Sequence, residues 1–471
     1  MTNFRVLYDS EDFRKKGYET IDLLADYLQQ ITDSQSIIKA IPYHTPDEAL
    51  DFWQKDFNNP TNPDLLDFFK KQIENVVHIH SPRYVGHQVT ATLPTAVLSA
   101  LVDALLNNSG AIHEMGMSVN AQERIVTNWF SKHLGYEEES YGIITSGGTL
   151  ANLTALLTAR AVKAPEDVWK EGTKSRLAVM VSEQAHYCVD RAAKVMGLGD
   201  AGVIKVPTDV NFCMKTEVLE DLLAKAKADG LHVFAIVGSA CTTSTGSYDD
   251  LEKIADFAEK HNIWFHADGA HGGVVVLSEK YKYLVKGINR TDSVIADFHK
   301  MLLIPSLTTG VFYKKPKDSY QTFAQKASYL FAEADEDWYN SGKRTFECTK
   351  PTMVSRVYSV LRTHGEEIFT DAVDYLYDLG ATFATMIRQN PNFELAHEPK
   401  TNIVCFRFIA KSENDLNVLN QQIRQNLLEN GRFYLVSTVL KGNYYLRVSL
   451  MNPLTTEKEL EELLTLIENC A

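Results

Sequence analysis

"DSVIADFHKMLL", residues 292–303, decides how this chain folds. The run "SVIAD" (293–297) has the texture of a strand buried on both faces. It ends in Asp297, His299 and Lys300, after which apolar Met301, Leu302 and Leu303 resume. Burying an ammonium in such surroundings costs several kcal/mol unless a partner pairs it or its charge is removed. A lysine here needs a chemical reason.

Outward from that run, similar segments recur: "RLAVMVSE" (176–183), "AGVIKVP" (201–207), "HVFAIVGSA" (232–240), "IWFHAD" (263–268) and "TGVFYKK" (309–315). Helical patterns such as "EVLEDLLAKAKADG" and "DDLEKIADFAEKHN" lie between several of them. Strand–helix alternation with continuous apolar strands predicts an α/β fold whose mostly parallel sheet is covered on both faces. Residues 10–31 carry Phe13, Tyr18, Ile21, Leu24, Leu28 and Ile31 at helical spacing, so an amphipathic helix is expected there. Two helices are expected within 95–134 and one long helix near 352–390. "NIVCFRFI", "NYYLRVSLM" and a last helix then suggest a small α+β C-terminal domain. The expected organisation is an N-terminal helical segment (1–82), a large domain (83–360) and a small domain (361–471).

Ligands of parallel α/β sheets gather at the carboxyl ends of strands, and the chemically informative residues follow those runs. "GIITSGGTLANL" leads from a strand through Ser146, Gly147, Gly148 and Thr149 into a helix, which suits an anion at a helix N-terminus. The same residues also suit a tight turn with Thr149 as N-cap. No GxGxxG and no GKS or GKT is present, so neither a dinucleotide nor a nucleoside triphosphate is implied. "WFHADGAHGG" puts Asp268 at a strand end, where it can bond a protonated heterocycle, cap a turn or, with His266 and His271, hold a metal. His186 opens a helix after another strand, and its flat ring can stack on an aromatic ligand. Thr242, Thr243 and Ser244 follow a fourth strand and can hold a ligand oxygen or form an ordinary ST-turn. Imine formation with a cofactor aldehyde answers the lysine question, because the nitrogen is then no longer a bare buried cation. Anion cradle, carboxylate, flat ring and lysine together match the needs of pyridoxal 5'-phosphate.

Bulk properties narrow the partners. A formal charge of -14 argues against nucleic acid. No run approaches the roughly 20 apolar residues of a membrane helix, and the N-terminus has no signal-peptide core. Six cysteines without CxxC pairs read as reduced thiols of a cytoplasmic protein.

In this ordered series the chain resembles the group II pyridoxal-phosphate-dependent amino-acid decarboxylases, the family of aromatic-amino-acid, glutamate and 2,4-diaminobutyrate decarboxylases. "HSPRYVGHQ", "TSGGTLANL", "SEQAHYCVDRAA", "CTTSTGSYDDL", "HADGAHGG" and "DSVIADFHKMLLIP" carry the resemblance, which spans nearly the whole chain. It implies the fold type I, aminotransferase-like architecture and decarboxylation of an L-amino acid to its amine through an external aldimine and a quinonoid. It further implies that Lys300 binds the cofactor aldehyde, Asp268 pairs with the pyridine nitrogen and His186 stacks on the ring. Ala270 would lie beneath the ring and Thr242 near its hydroxyl. Gly147, Gly148, Thr149, Asp297 and His299 would hold or flank the phosphate. Tyr339, in an acidic lid-like segment, is the expected proton donor, and a homodimer with a shared active site is implied. The chain departs from the family at Leu150, Cys241 and Phe298, in "EMGMSVNAQE" (no Ser-Pro) and in "ECTKPTMV" (not Arg-rich). Polar Glu114, His87 and Gln88 in the expected substrate wall favour a polar, diaminobutyrate-like substrate. The alternatives are another reaction on the same cofactor, namely decarboxylation-deamination, transamination or carbon–carbon lysis, and a metal-dependent hydrolase built on His266, Asp268 and His271.

Overall fold

The computed structural model describes residues 4–58, 64–137, 139–323, 338–409 and 415–470. The chain divides into two compact units. The larger comprises Gln88–Ala384 and His397–Val404; the smaller comprises Met1–His87, Thr385–Ala396 and Cys405–Ala471.

In the larger unit seven strands make one sheet: β1 (Gly142–Thr145), β2 (Leu177–Ser182), β3 (Val203–Val206), β4 (His232–Ser239), β5 (Trp264–Asp268), β6 (Ser293–Asp297) and β7 (Thr309–Tyr313). Their order is β1-β7-β6-β5-β4-β2-β3. Strands β2 to β6 are mutually parallel, whereas β7 runs antiparallel to both β6 and β1. β1 therefore points the same way as β6, and β1 to β6 all open their carboxyl ends on one edge. Every residue of β2, β5, β6 and β7 is buried. That double burial is why these segments read as unbroken apolar runs.

The helix Gly148–Lys163 is laid on the sheet by small side chains. Ala151, Ala155, Leu156 and Ala159 pack into one core with Val179, Val181, Ala235, Val237 and Ile295. Three alanines let the helix lie close to the strands, which fixes its N-terminus at the functional edge. Truncating fully buried Leu156 to Ala would cost about 2–5 kcal/mol.

A second sheet, in the smaller unit apart from Ile403 and Val404, holds β8 (Phe393–Leu395), β9 (Ile403–Phe408), β10 (Val436–Leu440) and β11 (Asn443–Ser449) in the order β10-β11-β9-β8. The helices Ser10–Thr32, Leu416–Asn430 and Glu457–Cys470 accompany it. Residues 1–87 join this unit through specific bonds. Tyr84 bridges Tyr434, and Asn452 Nδ2 donates to the carbonyls of Ile79 and Ser81.

Two expectations need correction. The long helix near 352–390 is two helices, Val354–His364 and Glu367–Gln389, separated at Gly365, whose φ of +80° ends the first. The sheet of the smaller unit also gains β8 and β10, which are too short and too irregularly buried to read as strands. Among the described residues no helix is long and apolar enough to cross a membrane.

Candidate active site

The lysine of the opening stretch lies just past the end of β6. Its Nζ is 2.9 Å from Asp297 Oδ2, and the Asp297 carboxylate is almost wholly buried. Asp297 also accepts from Thr309 Oγ1 at 2.6 Å, its cross-strand partner in the β6–β7 register. Burial pushes the Asp297 carboxyl up, but Lys300, His299 and the Thr309 hydroxyl together hold it below the usual carboxylate range. Burial likewise pulls Lys300 down, and Asp297 with Asp268 more than offsets this, leaving Lys300 raised. The partner that a buried ammonium needs is thus supplied within the chain, as a carboxylate counter-ion. An i,i+3 pair across the strand end is the physical reason.

Asp268 ends β5 and is also buried. Its Oδ1 accepts from Ala270 N at 3.2 Å, and its Oδ2 accepts from Asn152 Nδ2 at 3.2 Å. Desolvation raises its pKa, opposed by the positive charge of His186 and Lys300. His186 is the N-cap of the helix Tyr187–Val195, and its Nδ1 accepts from Cys188 N at 3.3 Å. Burial lowers its pKa, Asp268 opposes this and Lys300 adds to it. Lys300, Asp268, His186 and Asp297 therefore feel one another's charge at the ends of three strands.

The "SGGT" turn meets the same place. The helix that follows begins at Gly148, and its N-cap is Gly147 at φ +111°, with no side-chain cap. Thr149 is exposed and does not cap, which corrects the turn reading. Leading N–H groups of an uncapped helix lack partners within the helix and present positive potential. A Cβ built on Gly148 would lie 3.2 Å from both Asp297 oxygens. Glycine keeps this cradle open beside the Lys300–Asp297 pair. His299 Nδ1 accepts from Thr308 N at 3.1 Å, and its Nε2 is 3.8 Å from Asp297 Oδ2. One contact was not legible: Ser146 Oγ donates to Glu347 Oε1 at 2.6 Å, bringing a carboxylate to the turn.

Other expected residues lie differently. The Thr242 hydroxyl is buried in its own loop, bonded to Thr245 Oγ1 at 2.7 Å and to Ser247 N at 2.9 Å. Tyr339 belongs to a separate network: its ring meets His113 edge-on at 5.5 Å, and its carbonyl accepts from Asn120 Nδ2 at 2.7 Å. Residues 324–337 of the lid-like segment lie outside the described residues. Glu114 is exposed. The HxDxxH residues do not converge. His266 spends Nδ1 on Ser293 and Nε2 on Asn152, while His271 Nε2 bonds Asn402 Oδ1. Among the described residues no three metal-ligating groups gather.

An uncapped helix end, a lysine just past β6 and a carboxylate at the end of the adjacent strand β5 form an arrangement that suits an α/β enzyme with a phosphorylated aldehyde cofactor. Residues 54–409 match the pyridoxal-dependent decarboxylase conserved domain. The chain belongs to that family. It is a pyridoxal-phosphate-dependent carboxy-lyase acting on an amino acid. It is 26% identical to the aromatic-L-amino-acid decarboxylase of Bacillus atrophaeus, over 98% of this chain and 96% of that one. It is 30% identical to the aspartate 1-decarboxylase of Aliivibrio fischeri, over 87% and 85%. The crystal structure of the glutamate decarboxylase domain of diaminobutyrate-pyruvate transaminase and L-2,4-diaminobutyrate decarboxylase from Vibrio parahaemolyticus superposes with a TM-score of 0.86. It covers 98% of this chain and 96% of that one at 28% identity.

Proposed function

We propose that Lys300 is the residue that carries pyridoxal phosphate, and that Asp268, His186 and the Gly147–Thr149 turn hold the cofactor around it. The observation that carries this reading is the buried Lys300–Asp297 pair beside the uncapped Gly148 helix end. When bound, the cofactor supplies an electron sink for the pair left at Cα as carbon dioxide departs. To react, Lys300 must shed a proton; until then Asp297 Oδ2, 2.9 Å away, pairs with and orients its ammonium. Asp268 would pair with the ring nitrogen and keep it protonated, His186 would offer its ring to the cofactor's and Ala270 would lie beneath it. The backbone of Gly147, Gly148 and Thr149 binds the phosphate, with His299 and Asp297 flanking it. Thr242, whose hydroxyl is used inside its loop, shapes the wall near the ring hydroxyl. Tyr339 delivers a proton to Cα from the segment anchored by Asn120.

The proposed substrate is a polar amino acid of the diaminobutyrate kind. Exposed Glu114 and the named specificities of the aspartate and diaminobutyrate relatives support it. A homodimer that shares the site is proposed on the exposed apolar face of the helix Pro94–Leu106, where Leu98, Leu101, Val102 and Leu105 are about half or more exposed. Six cysteines scattered along the chain without CxxC spacing support a reducing, cytoplasmic setting.

The test is borohydride reduction of the cofactor-saturated protein with peptide mapping, followed by a panel of amino acids with amines read by mass. Label on Lys300 and one amine per carbon dioxide are expected. Label elsewhere overturns the lysine assignment; a carbonyl product in place of the amine overturns simple decarboxylation. An aromatic amine as the main product overturns the substrate class.

A further inference from the structure

Beneath Asp268 the polar side chains form a line, and with Asp268 ionised and His266 neutral the direction of every hydrogen bond in it is set. Trp264 Nε1 can only donate, so Ser293 Oγ accepts from it at 2.9 Å. An ionised carboxylate can only accept, so Asn152 donates its amide N–H to Asp268 Oδ2 at 3.2 Å. The second hydrogen of that amide points to Cys188 Sγ at 3.1 Å. Asn152 Oδ1 is then an acceptor, and its partner at 2.8 Å, His266 Nε2, carries the ring hydrogen. His266 Nδ1 is left as the acceptor for the Ser293 hydroxyl at 2.8 Å. The hydrogens all point one way, from Trp264 through Ser293, His266 and Asn152 to Asp268.

We propose that His266 and Asn152 are positioning residues that aim the Asp268 carboxylate and keep it ionised opposite the cofactor's ring nitrogen. This rests on the assignment of Asp268 to that nitrogen made above. Trp264, Ser293, His266 and Asn152 are all buried, so bulk solvent does not reach in to replace a lost member. Aligned bonds polarise one another, and in a low-dielectric interior the effect ends on the charged acceptor. With Ala270 N on Oδ1 and Asn152 on Oδ2, both carboxylate oxygens are held in one orientation. Asp268 needs this support. Burial alone favours its neutral form, which could not keep a ring nitrogen protonated. His266 is kept neutral by the same burial, with its pKa lowered to about 4. It relays polarity and moves no proton. The line also explains why a histidine stands two residues before the carboxylate, where a metal reading had no use for its orientation.

The test uses the cofactor-loaded protein and reads the pH midpoint of the cofactor's visible absorption band, the cofactor dissociation constant, and kcat apart from KM. His266→Phe and Asn152→Leu should each shift the band's midpoint and weaken cofactor retention by about tenfold or more, as loss of a hydrogen bond to a charged group does. They should lower kcat with little change in KM. Combined, they should do no more harm than the worse single change, because one line is broken either way. His266→Gln restores a donor and an acceptor and should stay within about threefold of the parent. Asn152→Asp sets a second carboxylate against Asp268 and should shift the midpoint furthest; it decides the matter should His266→Phe or Asn152→Leu fail to fold. Band and retention unchanged in Asn152→Asp, while Asp268→Asn alters both, would overturn the relay and spare the Asp268 assignment. Asp268→Asn leaving the band unchanged would overturn that assignment itself.

Discussion

In Asp297→Asn the buried ammonium of Lys300 loses its counter-ion, and the loss should be large. The pair is separated by 2.9 Å, with side-chain exposures of 19% for Lys300 and 3% for Asp297. Coulomb's law at that distance with an effective dielectric of about 20 gives roughly 6 kcal/mol of attraction. Part of this repays desolvation, so truncating one partner of such a pair costs about 3–5 kcal/mol. That is a large share of the total stability of an ordinary domain. The assay is chemical denaturation of the cofactor-free protein at pH 7, comparing parent, Asp297→Asn, and Asp297→Asn with Lys300→Met. The single variant should lose about 3–5 kcal/mol, and the double variant should recover most of it, because no unpaired charge remains. The pH dependence has a defined sign. Asp297 is lowered in the fold, so its contribution is present above the unfolded carboxylate pKa of about 3.9 and is lost as pH falls through the lower folded value. Lys300 is raised, so its contribution persists through neutral pH and is lost only as pH climbs past its ordinary 10.5. The gap between parent and single variant should therefore be flat from about pH 5 to 9 and should close in acid. A plateau gap below about 1 kcal/mol, or a double variant no more stable than the single one, would refute the pairing argument.

Further outcomes follow from neighbouring contacts. Gly148→Ala pushes a methyl group to within 3.2 Å of Asp297 and narrows the cradle, so cofactor affinity measured by fluorescence titration should fall by about tenfold or more. Glu347→Gln removes a negative charge bonded to Ser146 at 2.6 Å, so inorganic phosphate should bind the cofactor-free protein more tightly, with the gain fading at high salt. Lys350 holds both oxygens of buried Glu123 at 2.6 and 2.5 Å; Lys350→Met should cost about 3–5 kcal/mol in urea denaturation, and adding Glu123→Gln should return most of it. His266, lowered from 6.5 to about 4, contributes stability that is whole above pH 6.5 and is lost as pH falls toward 4, roughly 3 kcal/mol in all. His266→Gln should flatten that part of the stability curve.

What the sequence shows of this enzyme depends on how far apart the partners lie along the chain. Strands β2, β4, β5 and β6 are legible because burial on both faces leaves no polar positions to interrupt the apolar run. The boundary at Gly365 is not, because helical periodicity resumes at Glu367 and only the positive φ reveals the break. Within the site, residues at strand ends can be found one at a time, since position in an α/β sheet already singles them out. Their pairing cannot. Asp297 lies three residues before Lys300, yet the same spacing would serve a phosphate contact or an ion pair, and only the geometry shows the carboxylate turned to the lysine. Thr149 offers a hydroxyl where a cap is expected, but a glycine at φ +111° two residues earlier leaves the helix end bare, a feature no propensity scale encodes. His266 illustrates the hardest case. By linear spacing it joins Asp268 and His271 in a ligand-like pattern; in space it turns to Asn152, 114 residues earlier, and Ser293, 27 residues later. A strand alternates its side chains between the two faces of a sheet, so His266 and Asp268, two apart on β5, share a face. The helix that lies on that face supplies Asn152, which joins them.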